Sequence, residues 1–338
     1  MKTPIMQKKH RGVVVPMITP LTPLGSLDQA AVRRILNHLR GGGVHGVFVL
    51  GTTGEGPFVP LMIRNRLVEL VTECANGHMR VYAGISSDSL RDSLEAGNRY
   101  LKIGVDAVVA HAPAHYEKQP HESIHFFTEL AGRLNGDLLM YNMPLTTNVS
   151  LPIDMCKETA RRSRVIGIKD SENNPERLGE LLRELGGRES FSVFVGTAPL
   201  MAKGLLQGAD GIVPSVGNLA PALCRQLYDS TAHNDAQKTE AIHRRLMELS
   251  GVYQKGRTLG QSLAALKGAM TGFGLCGPDV FPPLKPTTAS EQLTLCSQLA
   301  KLGVSVQNVR PDEQQTNCRP HDGRPGWGWT GALPADPG

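Results

Sequence analysis

Residues 138–170 read LLMYNMPLTTNVSLPIDMCKETARRSRVIGIKD, and two short apolar runs at the ends of this stretch decide the fold. The first run leads into Tyr141, and the second leads into Lys169. Short runs of this kind are typical of strands that are buried on both faces, as in a parallel sheet. Adjacent parallel strands end at the same edge of a sheet, so we expect Tyr141 and Lys169 to lie close together there.

A lysine within an apolar strand is costly to bury as a cation. Burial therefore lowers the pKa of Lys169, and an amine that is neutral near pH 7 is a nucleophile for a carbonyl carbon. The phenol of Tyr141 can shuttle the protons that imine formation requires. The pair predicts a Schiff-base aldolase or lyase with Lys169 and Tyr141 as catalytic residues. The alternatives are that Lys169 pairs with Asp170 or Glu172, and that Tyr141 is an ordinary core aromatic.

Apolar runs alternate with segments of helical spacing along most of the chain. Eight strand-plus-helix units within roughly 200 residues are typical of a (β/α)8 TIM barrel, with the active site at the carboxyl ends of the strands. We predict a barrel domain over residues 1–230, a C-terminal helical appendage over 231–309 and a disordered tail over 310–338. The eight runs are Val13–Thr19, Gly46–Leu50, Val81–Ile85, Ala107–Ala110, Leu138–Tyr141, Val165–Lys169, Val193–Val195 and Gly211–Val213.

Composition limits the classes of function. The 338 residues are 40% apolar but contain no run of 18 apolar residues, so we expect no membrane-spanning helix and no membrane partner. The net charge of +5 is spread along the chain, which argues against a nucleic-acid partner and mildly favours an anionic small-molecule substrate. The six cysteines form no C-x-x-C pair, and the basic N-terminus is not followed by the apolar core of a signal peptide. We therefore expect a cytoplasmic protein with reduced thiols.

A Gly-rich turn, GTTGE over residues 51–55, follows the second predicted strand. The hydroxyls of Thr52 and Thr53 and the backbone N–H groups of such a turn can hold a carboxylate. Thr52 and Glu55 also have the spacing of a helix capping box, and the two interpretations are compatible. Gly196 after the seventh strand and residues 215–218 after the eighth are small or polar and suit the wall of a ligand pocket.

Four histidines form a second candidate site: His111, His115, His121 and His125. His121 and His125 are spaced i, i+4, which can chelate a metal, and a class II aldolase would use that metal as its electrophile. Acidic or cysteine ligands with matching spacing are missing around them, so we expect a solvated helix face and no metal. A metal-dependent aldolase is the alternative.

The motifs of this chain together resemble the dihydrodipicolinate synthase and N-acetylneuraminate lyase superfamily of pyruvate-dependent class I aldolases. The similarity covers about residues 12–302, and its motifs are specific in combination. They are G-T-T-G-E at 51–55, Y-N-x-P at 141–144, G-I-K-D at 167–170 and G-A-D-G-I at 208–212, with P-P-L-K-P at 282–286 also similar.

The resemblance implies roles for individual residues. Lys169 would form the imine with the keto carbon of pyruvate or another 2-oxo acid, and Tyr141 would relay protons. Thr52 and Thr53 would bind the carboxylate of the keto acid, with Thr52 also linked to Tyr141, and the backbone around Val213 would contact the bound acid. Family members are commonly homotetramers, which is the assembly we expect. The imine itself is the electron sink, so this chemistry needs no external cofactor.

The chain departs from the family pattern at three places that bear on the substrate. Thr146 stands where dihydrodipicolinate synthases carry an arginine for the carboxylate of the second substrate. His115 stands in the segment that supplies a relay tyrosine from a neighbouring subunit, and His115 can itself relay protons. Residues 197–199 replace acidic residues that hold the sugar in N-acetylneuraminate lyases.

By elimination, we expect a lyase that cleaves or forms a 2-keto-3-deoxy sugar acid or a small 4-hydroxy-2-oxo acid. One set of alternatives is a 4-hydroxy-tetrahydrodipicolinate synthase or an N-acetylneuraminate lyase proper. The others are a keto-deoxy sugar acid dehydratase on the same scaffold, since the same enamine can expel a hydroxyl group, and a non-catalytic keto-acid-binding homologue.

Overall fold

The computed structural model describes residues 8–304, except 118 and 234, and shows a closed barrel of eight parallel strands. Neighbouring strands pair in chain order, and the last strand closes the barrel onto the first. The predicted (β/α)8 TIM barrel with a C-terminal helical appendage is therefore confirmed, whereas the tail predicted over 310–338 lies outside the described residues. The strands are β1 (Gly12–Pro16), β2 (Gly46–Val49), β3 (Arg80–Gly84), β4 (Ala107–His111), β5 (Leu138–Asn142), β6 (Val165–Asp170), β7 (Ser192–Val195) and β8 (Gly211–Ile212).

All eight predicted apolar runs form strands, and their ends shift by at most three residues. The largest shift is at the end of β1, where the Ile18 N–H donates to the Asn218 side chain (3.2 Å) rather than to a strand carbonyl. None of the described helices is long and apolar enough to cross a membrane. The helices are α1 (Gln29–Gly41), α2 (Leu61–Ala75), α3 (Leu90–Ile103), α4 (Pro120–Arg133), α5 (Pro144–Thr147), α6 (Ile153–Thr159), α7 (Pro175–Leu185), α8 (Met201–Leu206), α9 (Pro221–Ala232), α10 (Ala236–Gln254), α11 (Leu259–Thr271) and α12 (Ala289–Lys301).

Two apolar layers hold the barrel together. Inward-pointing side chains such as Val14, Phe48 and Phe194 pack against one another inside the barrel. The surrounding helices cover its outer face with apolar stripes, as α1 does with Ile35 and Leu39. Because the strands are covered on both faces, most of their residues are apolar, which is why the runs stand out in the sequence.

The C-terminal helices α10, α11 and α12 follow β8 and α9 with no strand between them. The Tyr253 hydroxyl on α10 hydrogen-bonds the Ser215 hydroxyl just after β8 (2.8 Å). The His243 ring, also on α10, hydrogen-bonds the carbonyl oxygen of Ala198 just after β7 (2.9 Å). The α10 helix therefore braces the end of the barrel at which the strands finish. The division of the chain at residues 230 and 309 stays a prediction.

A buried ion pair joins the turn after β2 to α11. Glu55 and Lys267 are each only 1% exposed, and the Lys267 Nζ lies 2.5 Å from one Glu55 carboxylate oxygen. The other carboxylate oxygen accepts a hydrogen bond from the Phe281 N–H (2.7 Å), and Lys267 also donates to the Asp279 carbonyl oxygen (2.7 Å). The capping-box interpretation of Thr52 and Glu55 is wrong, because the Glu55 side chain is committed to this distant contact and makes no cap.

We predict that Lys267→Met destabilises the protein strongly. The substitution leaves the Glu55 carboxylate buried without its cation, which typically costs about 3–5 kcal/mol of unfolding free energy. Urea denaturation measures the loss, and the exposed Lys203 on α8 provides the control, because Lys203→Met should change stability by less than about 0.5 kcal/mol. Equal stability of the two variants would contradict a charged pair, and adding Glu55→Gln to Lys267→Met should recover part of the loss.

Candidate active site

Lys169 lies on β6 directly beside Tyr141 on β5, since the two residues are register partners in the parallel ladder. The Lys169 side chain is buried, with 5% exposure, and its Nζ lies 3.4 Å from the centroid of the Tyr141 ring. The Phe48 ring of β2 lies further off, with its centroid 5.6 Å from the same nitrogen. The two residues that the sequence places at one edge of the sheet are thus in direct contact.

The neighbouring carboxylates do not neutralise Lys169. The Asp170 carboxylate lies 2.8 Å from the Arg177 Nε, which also lies 3.3 Å from Glu172. The Asn142 side-chain amide donates to both of these carboxylates. The interpretation that Lys169 pairs with Asp170 or Glu172 is therefore wrong, because both acids face α7 and its arginine.

Burial lowers the pKa of Lys169 below its ordinary value, and the adjacent Tyr141 and the charge of Asp170 oppose this shift only in part. Burial acts to raise the pKa of Tyr141, but the charge of Lys169 and hydrogen bonds to Lys169 and Thr52 lower it further than burial raises it. The two shifts share one sign. The ammonium group of Lys169 and the phenol of Tyr141 therefore both lose their protons at a pH closer to neutral than they ordinarily would.

The turn after β2 brings Thr52 to the tyrosine. The Thr52 hydroxyl and the Tyr141 hydroxyl are 3.1 Å apart and form a hydrogen bond. Leu50 and Glu55, which flank the turn, adopt left-handed backbone conformations with φ values of 60° and 57°. Strained residues of this kind persist only where the surrounding structure fixes them, and they concentrate at functional sites. Thr53, next in the turn, is buried with 9% exposure.

A cavity of about 110 Å³ opens beside this turn. Its wall includes Thr52, Tyr141 and Thr146, which the sequence places in the site. The wall also includes His111, at the carboxyl end of β4, and Arg64, in the first turns of α2. The strand-end position of His111 is the kind of signal that marks site residues in a barrel, whereas Arg64 belongs to a helix and carries no such signal.

Lys169 lines a different and much smaller space inside the barrel. That space has a volume of about 10 Å³, room for no more than about one water molecule, and Val213 forms part of its wall. Gly196 passes close above the lysine, because a Cβ added there would lie 3.1 Å from the Lys169 Cε and would collide with the Ser171 hydroxyl. The Ser171 hydroxyl is buried beside these groups, and its interaction with Tyr141 helps to lower the pKa of Tyr141. No sequence pattern marks Ser171 as a site residue.

His115 lies apart from this group. It is exposed, its ring packs edge-on against Tyr116 with ring centroids 4.7 Å apart, and it is not in the wall of the 110 Å³ cavity. His121 and His125 are exposed on α4. Across the described part of the chain, no three His, Cys, Asp or Glu side chains are grouped as metal ligands would be.

Comparison with known proteins agrees with the fold. The model of the dihydrodipicolinate synthetase family matches residues 9–302. A 4-hydroxy-tetrahydrodipicolinate synthase of Methanothermobacter thermautotrophicus is 30% identical over 246 residues, which are 72% of this chain and 87% of that protein. An uncharacterized DapA-like lyase of Thermofilum pendens is 30% identical over 311 residues, which are 89% of this chain and 100% of that protein.

Among solved structures, dihydrodipicolinate synthase from Bacteroides thetaiotaomicron superposes with a TM-score of 0.83 and 30% sequence identity, covering 88% of this chain and 100% of that one. The family match extends from the start of the barrel to α12 and includes every motif residue of the site. The chain therefore belongs to the dihydrodipicolinate synthetase family of pyruvate-dependent lyases.

Proposed function

We propose that this protein is a class I aldolase that joins or splits pyruvate and an aldehyde through an imine on Lys169. The observation that carries the proposal is a single contact chain: a buried amine without a carboxylate partner, a phenol against it, and a threonine hydroxyl bonded to that phenol. Tyr141 relays protons, Thr52 orients it, and the turn at Thr52 and Thr53 receives the keto-acid carboxylate. The family relationship supports the use of pyruvate.

The reaction begins when the neutral Lys169 amine attacks the keto carbon of pyruvate. The resulting carbinolamine loses water, with a proton delivered to the departing hydroxyl, and becomes a protonated imine. The positive imine nitrogen accepts electrons as the methyl group loses a proton, which gives an enamine. The enamine carbon attacks the aldehyde carbonyl, Tyr141 supplies the proton that the new alkoxide needs, and water releases a 4-hydroxy-2-oxo acid. Cleavage is the same sequence in reverse.

This chemistry requires that the Lys169 side chain can reach the keto acid and that its amine stays poorly solvated. Tyr141 lines the 110 Å³ cavity, whereas Lys169 lines the small interior space, so the flexible lysine side chain has to extend toward the cavity to reach a keto acid. Gly196 leaves the room for that movement because it places no side chain beside the Lys169 Cε. The apolar surroundings of Phe48 and Val213 then keep the amine poorly solvated and hence nucleophilic.

The proposed products are 2-keto-3-deoxy sugar acids or small 4-hydroxy-2-oxo acids. Thr146 supports this choice, because an uncharged residue lines the cavity there, whereas dihydrodipicolinate synthases carry an arginine at that place. Synthesis of 4-hydroxy-tetrahydrodipicolinate, the activity named for the Methanothermobacter relative, is the second candidate. Pyruvate assayed with a panel of aldehydes, including aspartate semialdehyde, separates the two.

We further propose a cytoplasmic homotetramer. Leu61 and Met62, in the first turn of α2, are 64% and 85% exposed, and large apolar side chains left open together favour contact with another copy of the chain. Light scattering after size-exclusion chromatography measures the assembly.

Reduction with borohydride in the presence of pyruvate should leave a stable pyruvyl adduct on Lys169. Hydride reduction converts the imine to a secondary amine, which peptide mass spectrometry locates. Lys169→Ala should form no adduct, whereas Lys203→Ala, which changes an exposed lysine, should label as the wild type does. An adduct elsewhere, or none at saturating pyruvate, would rule out Lys169 as the nucleophile.

Tyr141→Phe should keep the ring against Lys169 but lose the proton relay. We expect turnover with pyruvate and a productive aldehyde to fall by about 10²–10⁴-fold, the usual contribution of a general acid–base. Tyr228→Phe on α9 is the matched control, since this tyrosine packs against His45, a residue outside both cavities. Turnover in Tyr141→Phe equal to that of the control would show that the phenol transfers no proton.

The pH dependence of adduct formation should report the desolvated amine. Because burial lowers the pKa of Lys169, the rate of imine trapping should rise with pH through a midpoint below the ordinary lysine value of 10.5. Tyr141 acts to raise the pKa of Lys169, so the midpoint should move to still lower pH in Tyr141→Phe. A midpoint that moves upward in this variant would contradict the proposed contact between the two groups.

A further inference from the structure

Arg64 lies in the wall of the same cavity as Thr52 and Tyr141, although it comes from a helix and not from a strand end. Its position follows from the chain directly after the Gly-rich turn, where Pro60 precedes α2 and Arg64 is the fourth residue of that helix. The arginine is partly buried. A cation at this place faces whatever occupies the cavity beside the catalytic tyrosine.

One hydrogen bond fixes the orientation of the guanidinium. The Arg64 Nε donates to the Val59 carbonyl oxygen at 2.7 Å, and Val59 is itself buried with 2% exposure. Neither terminal nitrogen of Arg64 is engaged in a hydrogen bond or an ion pair with any described residue. The side chain is thus held along one edge, while its two Nη groups keep their donors for a ligand. Such a fork matches the oxygen atoms of a carboxylate or a phosphate.

The rest of the cavity wall offers this cation no counter-charge. The described lining residues include the hydroxyls of Thr52, Ser86 and Thr146 and the His111 ring, but no aspartate or glutamate. A cavity with one permanent positive charge and no carboxylate attracts an anion and disfavours a cation. Under the proposed function, the turn at Thr52 and Thr53 binds the carboxylate of the keto acid. The positive charge of Arg64 is therefore available to attract a second anionic group.

We propose that Arg64 binds a carboxylate or phosphate group on the aldehyde partner and so selects anionic aldehydes as substrates. This inference rests on the proposed function and narrows its substrate class to aldehydes that give 4-hydroxy-2-oxo acids with a second negative group. Thr146 is uncharged, so no cation follows β5 at this position. Arg64 supplies the cation instead, from α2, which follows β2. The aldehyde carbon then faces the enamine near Tyr141 while its anionic end is held by α2.

Matched pairs of aldehydes test the proposal. Succinic semialdehyde against butanal, and glyceraldehyde 3-phosphate against glyceraldehyde, separate a carboxylate from a phosphate while holding chain length constant. The wild type should show a higher kcat/KM for the anionic member of at least one pair, and the pair that responds identifies the group. A hydrogen-bonded charge contact of this kind typically changes kcat/KM by about 10-fold to 100-fold. Absence of preference in both pairs would overturn the proposal whatever the variants do.

Arg64→Gln should reduce that preference by a similar factor, and Arg64→Lys should recover part of it, because lysine restores the charge without the fork. Arg66→Gln, two residues further along α2 on an exposed side chain, is the control and should keep the wild-type preference. A ratio in Arg64→Gln equal to that of the control would overturn the proposal.

Pyruvate trapping in the same variants separates this inference from the function on which it rests. If Arg64 holds the aldehyde, the pyruvate concentration that half-saturates adduct formation on Lys169 should differ less than about twofold between Arg64→Gln and Arg66→Gln, a change too small for a lost charged hydrogen bond. A tenfold or larger rise in Arg64→Gln would assign Arg64 to the pyruvate carboxylate and overturn the inference alone. Failure of the wild type to form any adduct would overturn the proposed function, and the inference with it.

Discussion

Desolvation of one amine is the constraint on which the site depends. A parallel barrel has an apolar interior by construction, and Lys169 enters that interior from near the carboxyl end of β6. The nearest carboxylate, that of Asp170, forms an ion pair with Arg177 on the other side of the strand and not with Lys169. What faces the amine instead is the Tyr141 ring, and Tyr141 acts to raise the pKa of Lys169 by less than burial lowers it. The barrel interior thereby desolvates the Lys169 amine, and only the binding of a substrate is left to the loops at the strand ends.

The same fold treats a second buried lysine in the opposite way. Lys267 is as deeply buried as Lys169, yet it has Glu55 at 2.5 Å and a backbone carbonyl as further acceptor. Burial lowers the pKa of both lysines, and at Lys267 the Glu55 carboxylate opposes that shift. The two buried lysines therefore differ in one respect: Lys267 has a carboxylate partner and Lys169 has none in ion-pair contact.

The sequence predicted the eight strands and the contact between Tyr141 and Lys169, because strands covered on both faces are apolar and parallel strands end together. Contacts between residues far apart in the chain could not be predicted, because local sequence patterns do not report them. Glu55 has the spacing of a cap, but its partner Phe281 is 226 residues away. Arg64 has the look of an ordinary surface arginine on a helix, and only the packing of α2 beside the turn shows that it faces the cavity.

The tie from Glu55 to α11 and Phe281 also bears on how the protein is made. The turn that carries Thr52 precedes β3 in the chain, but the groups that fix its Glu55 end, Lys267 and the Phe281 N–H, are synthesised after β8. All eight strands have been synthesised before that point, so a closed barrel can precede a finished site. The contacts that hold the Thr52 turn to the C-terminal part of the chain therefore form only after α11 and Phe281 have been made, and a chain ending before Phe281 would lack the hydrogen bond from the Phe281 N–H to Glu55.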